Sequence, residues 1–251
     1  MSAPGSPSAV DVRRATSRFV TRSDRLHSAH SFSFGSHFDP TNTSHGLLTV
    51  HNEDVVSTGG GFDTHRHAGM EIVTWVLDGA LAHEDSAGHR GVLTPGVAQC
   101  MSAGSGIQHS ERNATTDAGH GQPVHFVQMW VVPDQAGGAP TYQHRSVADE
   151  LSGPDLVPVV SGLKAHADVA VRLRSSQAAF LVGRLEAQDS LALPEAPYLH
   201  LFVARGAITL EGAGALSAGD AARLTASGGQ RVTATTPSEL LVWQMHAALG
   251  G

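Results

Sequence analysis

The sequence predicts an all-β protein made of two tandem β-sandwich barrels. Three observations carry this expectation. Short runs of β-branched and apolar residues recur along the chain, helical periodicity is scarce, and the pattern repeats once, in order, in the second half.

The runs come first. "GLLTV" (46–50), "EIVTWVL" (71–77), "VHFVQMWVV" (124–132), "AAFLVGRLE" (178–186), "YLHLFVARG" (198–206), "AITL" (207–210) and "ELLVWQM" (239–245) read as strands. Turn residues separate them: "DGA" at 78–80, "SAG" at 86–88, "TPG" at 94–96 and "SAGSG" at 102–106. The 28 Gly and 12 Pro fit many short strands joined by turns. Close spacing of many strands argues for a sandwich or barrel.

The repeat comes next. "VTWVLDGALAHED" (73–85) parallels "HLFVARGAITLEG" (200–212), which matches Gly79 to Gly206. "GVLTPGVAQCMSAG" (91–104) parallels "GALSAGDAARLTAS" (214–227), which matches Gly96 to Gly219. The expected division is a disordered N-terminus over 1–12, an N-terminal domain over 13–135, a connector over 136–162 and a C-terminal domain over 163–251. The stretch 133–156 is turn-rich, which is why the connector falls there.

Composition bounds the function. Hydrophobic residues make up 41% and charged residues 16%, a globular balance. The net charge of −7 and the absence of a Lys/Arg block disfavour nucleic-acid binding. The single cysteine, Cys100, excludes an intrachain disulfide framework and fits a reducing compartment. No run of about 18 apolar residues exists to span a membrane, and "MSAPGSPSAV" shows neither the apolar core nor the leading positive charge expected of a signal peptide. The expectation is a cytoplasmic monomer.

Histidine is abundant, at 16 of 251 residues. Chance alone gives about one His-x-His in such a chain, so the pair His65 and His67 means nothing by spacing. Its surroundings matter more. Residues two apart on a strand share a face, so His65, His67 and Glu71 would point one way if the strand runs through all three. Downstream, Gly104 and Gly106 permit a turn, after which His109 and Glu111 share a face. Three imidazoles and one carboxylate suit a first-row transition metal with open positions. Both Glu71 and Glu111 could supply the carboxylate. The other thirteen histidines form no second pair of this kind. His30 and His37, in "HSFSFGSHFDP", are placed at the mouth of a pocket.

These segments resemble the cupin motifs. His65, His67, Glu71 and Gly79 fall in the first; Gly106, His109 and Asn113 fall in the second. More narrowly, "HSFSFGSHFDP", "THRHAGMEIVTWVLDGALAHEDSAGH", "LTPGVAQCMSAGSGIQHSERN" and "VHFVQMWVVP" resemble the pirin family over residues 30–145. The resemblance implies a bicupin, two cupin-type barrels with the metal in the first. It implies His65, His67, His109 and Glu111 as ligands, with Glu71 behind them or in substitution. Counted from Gly206 and Gly219, the matching positions of the second barrel are Ala192, Pro194, Tyr198, Val232 and Ala234, so one metal per chain is expected.

Some proteins similar to pirins open the flavonol quercetin with O₂. The resemblance therefore implies a quercetin 2,3-dioxygenase-like enzyme acting on a small aromatic substrate and O₂, with Glu111 as the catalytic proton acceptor. The cofactor expected is one divalent transition metal, Fe²⁺ first, with Mn²⁺, Ni²⁺, Cu²⁺ and Zn²⁺ as alternatives. The rival reading is a non-catalytic iron-binding regulator acting through a protein partner. An aromatic content of 5% offers no obvious stacking platform for a planar flavonol.

Overall fold

The computed structural model describes residues 9–115 and 121–250. The first half supplies β1 (Ala9–Arg13), β2 (Phe19–Ser23), β3 (Leu26–His30), β4 (Leu48–Val56), β5 (Gly61–His67), β6 (Glu71–Asp78), β7 (Leu81–Asp85), β8 (Arg90–Leu93), β9 (Val97–Ser102), β10 (Ile107–Asn113) and β11 (Val124–Val131). The second supplies β12 (Thr141–Ser146), β13 (Leu156–Ser161), β14 (Val171–Arg172), β15 (Ala178–Leu185), β16 (Ser190–Ala192), β17 (Ala196–Arg205), β18 (Ala207–Leu210), β19 (Gly214–Ser217), β20 (Ala221–Ser227), β21 (Arg231–Ala234) and β22 (Ser238–Met245). Two short 3₁₀ turns complete the described elements, and no helix among them is long and apolar enough to cross a membrane.

Each half is a sandwich of a seven-stranded and a four-stranded sheet, so the bicupin architecture holds. In the N-terminal domain the orders are β12-β9-β6-β11-β4-β3-β2 and β5-β10-β7-β8; in the C-terminal domain they are β1-β20-β17-β22-β15-β13-β14 and β16-β21-β18-β19. The repeat is visible in the backbone. Gly79 and Gly206 both have φ +76°, and Gly96 and Gly219 both have φ +85°. A Cβ at Gly79 would lie 2.7 Å from the Pro123 carbonyl oxygen, and one at Gly206 would lie 2.2 Å from that of Pro237. Both constraints leave only glycine.

Two expected boundaries are corrected. Ala9–Arg13 is not disordered: it is the edge strand of the C-terminal sheet, paired from Ala9–Thr225 to Arg13–Ala221. Residues 1–8 lie outside the described residues. The expected connector 136–162 contains β12, which pairs with β9, and β13, which pairs with β15. β12 thus fills in the N-terminal sheet the place that β1 fills in the C-terminal one. The two domains exchange edge strands in sequence order, which ties them together and leaves no long linker.

The large sheets pack face to face. Alternation on β6 sends Val73, Trp75 and Leu77 into a core shared with Phe180, Phe202 and Trp243 of the other domain. Trp75 Nε1 donates to Glu239 Oε1 at 2.6 Å across this interface. Inside the C-terminal sandwich, Ile208, Leu210, Val232 and Ala234 fill the interior with apolar side chains. Inside the N-terminal sandwich, a smaller apolar group around Leu81, Leu93 and Phe126 fills only part of the space. The remainder is polar and holds the site.

Candidate metal centre

β5 and β10 run antiparallel, with His109 opposite His65 and Ile107 opposite His67. That register brings three imidazoles together from two adjacent strands. Ring centroids of His65, His67 and His109 lie 4.4 to 4.9 Å apart, and one ring nitrogen from each falls within 4.8 Å of the others. A bulge between His109 and Glu111 re-aims the next side chain. Gly61 makes the close approach feasible, because a Cβ there would sit 2.3 Å from the Glu111 carbonyl oxygen.

The geometry fits a cation. His65 Nδ1 donates to the Asp63 carbonyl at 2.7 Å, which leaves its Nε2 with a free lone pair. The Nε2 atoms of His67 and His109 are buried and have no hydrogen-bond partner. Burial, reinforced by His65, lowers the His67 pKa to about 4. Burial together with His65, His67 and His83 lowers that of His109 to about 3. Neutral imidazoles with orphaned, inward nitrogens are what a divalent transition metal requires.

Glu111 is 2% exposed and sits beside this trio. Burial lifts its carboxyl to about 7, a nearby Asp54 adds to the rise, and a hydrogen bond from Gln128 opposes it. A carboxylate oxygen of Glu111 lies within 4.8 Å of ring nitrogens of His109 and His83, so His109 is shared between this group and the histidine trio. Glu71 goes elsewhere. The strand carrying His65 and His67 ends at His67, and Gly69, with φ +67°, turns the chain into the other sheet. Glu71 then shares the interdomain face of β6. Its Oε2 accepts from Ser102 Oγ at 2.8 Å and from the Arg174 backbone N–H at 3.0 Å.

Sequence reasoning passed over His83. It lies on β7 opposite Glu111, is 3% exposed, and stands between Asp85 and His109. Its Nε2 donates to Asp85 at 3.4 Å, and its Nδ1 receives the Nδ1–H of His109 at 3.5 Å. This chain fixes the tautomer that leaves Nε2 of His109 free. The alternation Leu81, His83, Asp85 on one strand was the available signal. His120 lies outside the described residues.

A cavity of about 400 Å³ opens beside the histidines. Phe34, Phe62 and Trp130 line it, with Trp130 4.7 Å from the His67 ring. Three of the few large rings in this chain of 5% aromatic residues are concentrated here. The "HSFSFGSHFDP" segment reaches the cavity through Phe34. His30 stands behind the wall, bonded to Thr21 and Asn52 at 2.9 Å each, and His37 stacks on Phe19. In the C-terminal domain, Val232 pairs with Leu191 and Leu210 where His109 pairs with His65 and Asp85. Counting along the repeat put the His65 equivalent one residue away, at Ala192. Leu191 and Val232 are apolar, and among the described residues that domain contributes to neither cation-binding group.

Comparison with known proteins fits this geometry. The Pirin family model matches residues 10–131, and the model of the quercetinase C-terminal cupin domain matches residues 159–245. A Mycobacterium tuberculosis H37Rv protein with the provisional name quercetin 2,3-dioxygenase is 52% identical over 241 residues, covering 96% of this chain and 97% of the relative. The Escherichia coli K12 protein named quercetin 2,3-dioxygenase is 38% identical over 148 residues, 59% of this chain and 62% of the relative. The crystal structure of bacterial pirin YhhW in complex with nickel(II), from Escherichia coli, superposes with a TM-score of 0.85 at 29% identity. It covers 96% of this chain and 100% of that one. With half its residues shared with a relative of nearly equal extent, and the two sandwiches in the same order, the chain belongs to the pirin family.

Proposed function

We propose that this protein is a dioxygenase that opens a flavonol such as quercetin with O₂, using one divalent transition metal held by His65, His67, His109 and Glu111. The observation that carries the reading is the pair of buried, unpartnered Nε2 atoms on His67 and His109, at the wall of a cavity lined by aromatic rings. When bound there, the ion supplies Lewis acidity toward a phenolic oxygen. The names of the relatives support the flavonol, and the nickel bound by YhhW supports a divalent transition ion. Fe²⁺ is our first choice, followed by Mn²⁺, Ni²⁺ and Cu²⁺.

The protein's own groups have separable roles. Glu111, with a pKa near neutrality, takes the proton of the flavonol 3-hydroxyl. Gln128 holds the Glu111 carboxylate in place at 2.7 Å. Phe34, Phe62 and Trp130 hold the flat rings and exclude water. The volume lies within the range of about 300–1,000 Å³ common for small-molecule sites.

The test is direct. Protein loaded separately with Fe²⁺, Mn²⁺, Ni²⁺ or Cu²⁺ is incubated with quercetin in air, and the near-ultraviolet and visible band of quercetin is followed together with carbon monoxide release. Loss of the band with carbon monoxide supports the enzyme. No loss with any of the metals overturns it and favours the iron-binding regulator.

A further inference from the structure

The inner face of β3, β4 and β11 presents a polar wall to the cavity, formed by Ser28, Asn52, Asp54 and Gln128. Most of this wall is internally satisfied. Thr21 Oγ1 bonds His30 at 2.9 Å, and His30 bonds Asn52 Oδ1 at 2.9 Å. Trp130 Nε1 donates to Gln128 Oε1 at 3.1 Å, and Gln128 donates to Glu111. Asp54 is the exception. It is 3% exposed, it lines the cavity, and its Oδ1 has no hydrogen-bond partner.

No salt bridge reaches Asp54 among the described residues. The adjacent Glu53 faces the other side of the sheet and is paired with Arg18 at 2.6 Å and His125 at 2.9 Å. Burial raises the Asp54 carboxyl to about 7 against a hydrogen bond from Ser28. A buried acceptor left open on a cavity wall is costly unless a ligand completes it. Nothing in the proton-accepting role of Glu111 uses it.

We infer that Asp54 determines substrate specificity: its carboxylate accepts a hydrogen bond from a second phenolic hydroxyl of the substrate, distinct from the oxygen presented to His65, His67 and His109. The ligand class is a polyphenol carrying more than one hydroxyl. The choice of ligand rests on the flavonol reading. A site built to receive a hydroxyl rejects the analogue that lacks it, because the acceptor then stays unpaired.

The experiment compares quercetin with 3-hydroxyflavone, which keeps only the hydroxyl at position 3. Metal-loaded wild type, Asp54→Asn, Asp54→Ala and Asp54→Leu are assayed on both, with circular dichroism as the folding check. Leu is close to Asp in shape and offers no acceptor, so it carries the comparison if the Ala variant does not fold. Wild type is expected to prefer quercetin. In the Ala and Leu variants the kcat/KM ratio of quercetin to 3-hydroxyflavone is expected to fall about tenfold or more, mainly through KM. Asn, which retains a carbonyl acceptor, is expected to lose less. Equal losses on both substrates, or an unchanged ratio, overturn the inference. If wild type turns over neither compound, the dioxygenase reading fails, and calorimetric Kd values for the same pair decide the role of Asp54. A wild-type preference for quercetin that disappears in the Leu variant then supports it, and no preference or no binding overturns it.

Discussion

Gln128 donates from Nε2 to Oε2 of Glu111 at 2.7 Å, with both side chains buried in the N-terminal sandwich. The bond comes from β11 in the large sheet and reaches β10 in the small one, so it holds the carboxylate at the junction of the two. Trp130 in turn holds Gln128. Gln128→Leu should therefore leave Glu111 buried but unanchored. Turnover of quercetin is expected to fall about tenfold to a hundredfold, the usual effect of removing a group that orients a ligand. Steady-state kinetics beside metal stoichiometry checks this, and full activity in the variant would sink it.

The ligand assignment makes unequal demands on similar residues. His67→Ala and His109→Ala are expected to lose most of the bound metal, and Glu111→Gln a substantial part. Glu71→Gln should retain it, because that carboxylate is spent on Ser102 and the Arg174 backbone. His200→Ala should also retain metal while losing stability, since His200 is fully buried between the domains. Elemental analysis of the five variants decides the matter; equal metal in all of them would refute the assignment.

Acid should weaken the domain interface. His51 and His200 are both fully buried there, with ring centroids 4.8 Å apart. Burial, then Arg18, lowers His51 to about 3. Burial, then His51 and Arg223, lowers His200 well below the ordinary range. Both groups therefore bind protons more readily in the unfolded chain. Their contribution is fully present above about pH 6.5 and is lost as the pH falls from there, by about 2 kcal/mol for His51 between pH 7 and 5. Other groups titrate in the same window, Asp54 and Glu111 in the opposite sense, so the contribution is read as a difference: urea titrations of metal-free protein should show a steeper loss between the two pH values in wild type than in His200→Gln.

The N-terminal strand should matter for stability. β1 adds a ladder to the edge of β20 and packs Val10 and Val12 on the C-terminal core. Arg14 Nη1 and the Ala15 backbone N–H then bind Asp220 at 2.8 Å each. Deleting residues 1–14 uncovers the β20 edge and is expected to cost about 2–3 kcal/mol, or about 5–10 °C in Tm. Self-association through the exposed edge should follow. Scanning calorimetry and gel filtration test both, and an unchanged Tm would contradict the strand's role.

Much of the architecture was legible in the residues. Apolar runs such as "EIVTWVL" and "ELLVWQM" are strands buried on both faces, so the run itself marks them. Gly79, Gly96, Gly206 and Gly219 mark the repeat because each occupies a left-handed backbone position. Strands of the small sheets were harder to see. β5 and β10 carry mostly polar residues, because they face solvent on one side and a polar cavity on the other. β1 looked like a frayed end because its partner lies some 200 residues away, a pairing that no local pattern encodes.

The sequence by itself determined an all-β repeat protein and the grouping of His65, His67 and His109, since strand periodicity and a single turn suffice for both. Only the tertiary structure separated the two carboxylates in space. Glu71 and Glu111 are equivalent by spacing, but Gly69 sends one to the domain interface while the bulge after His109 sends the other into the barrel. His83, Asp54 and the three cavity rings likewise gain their meaning from separate strands that meet only when the two sheets close on each other.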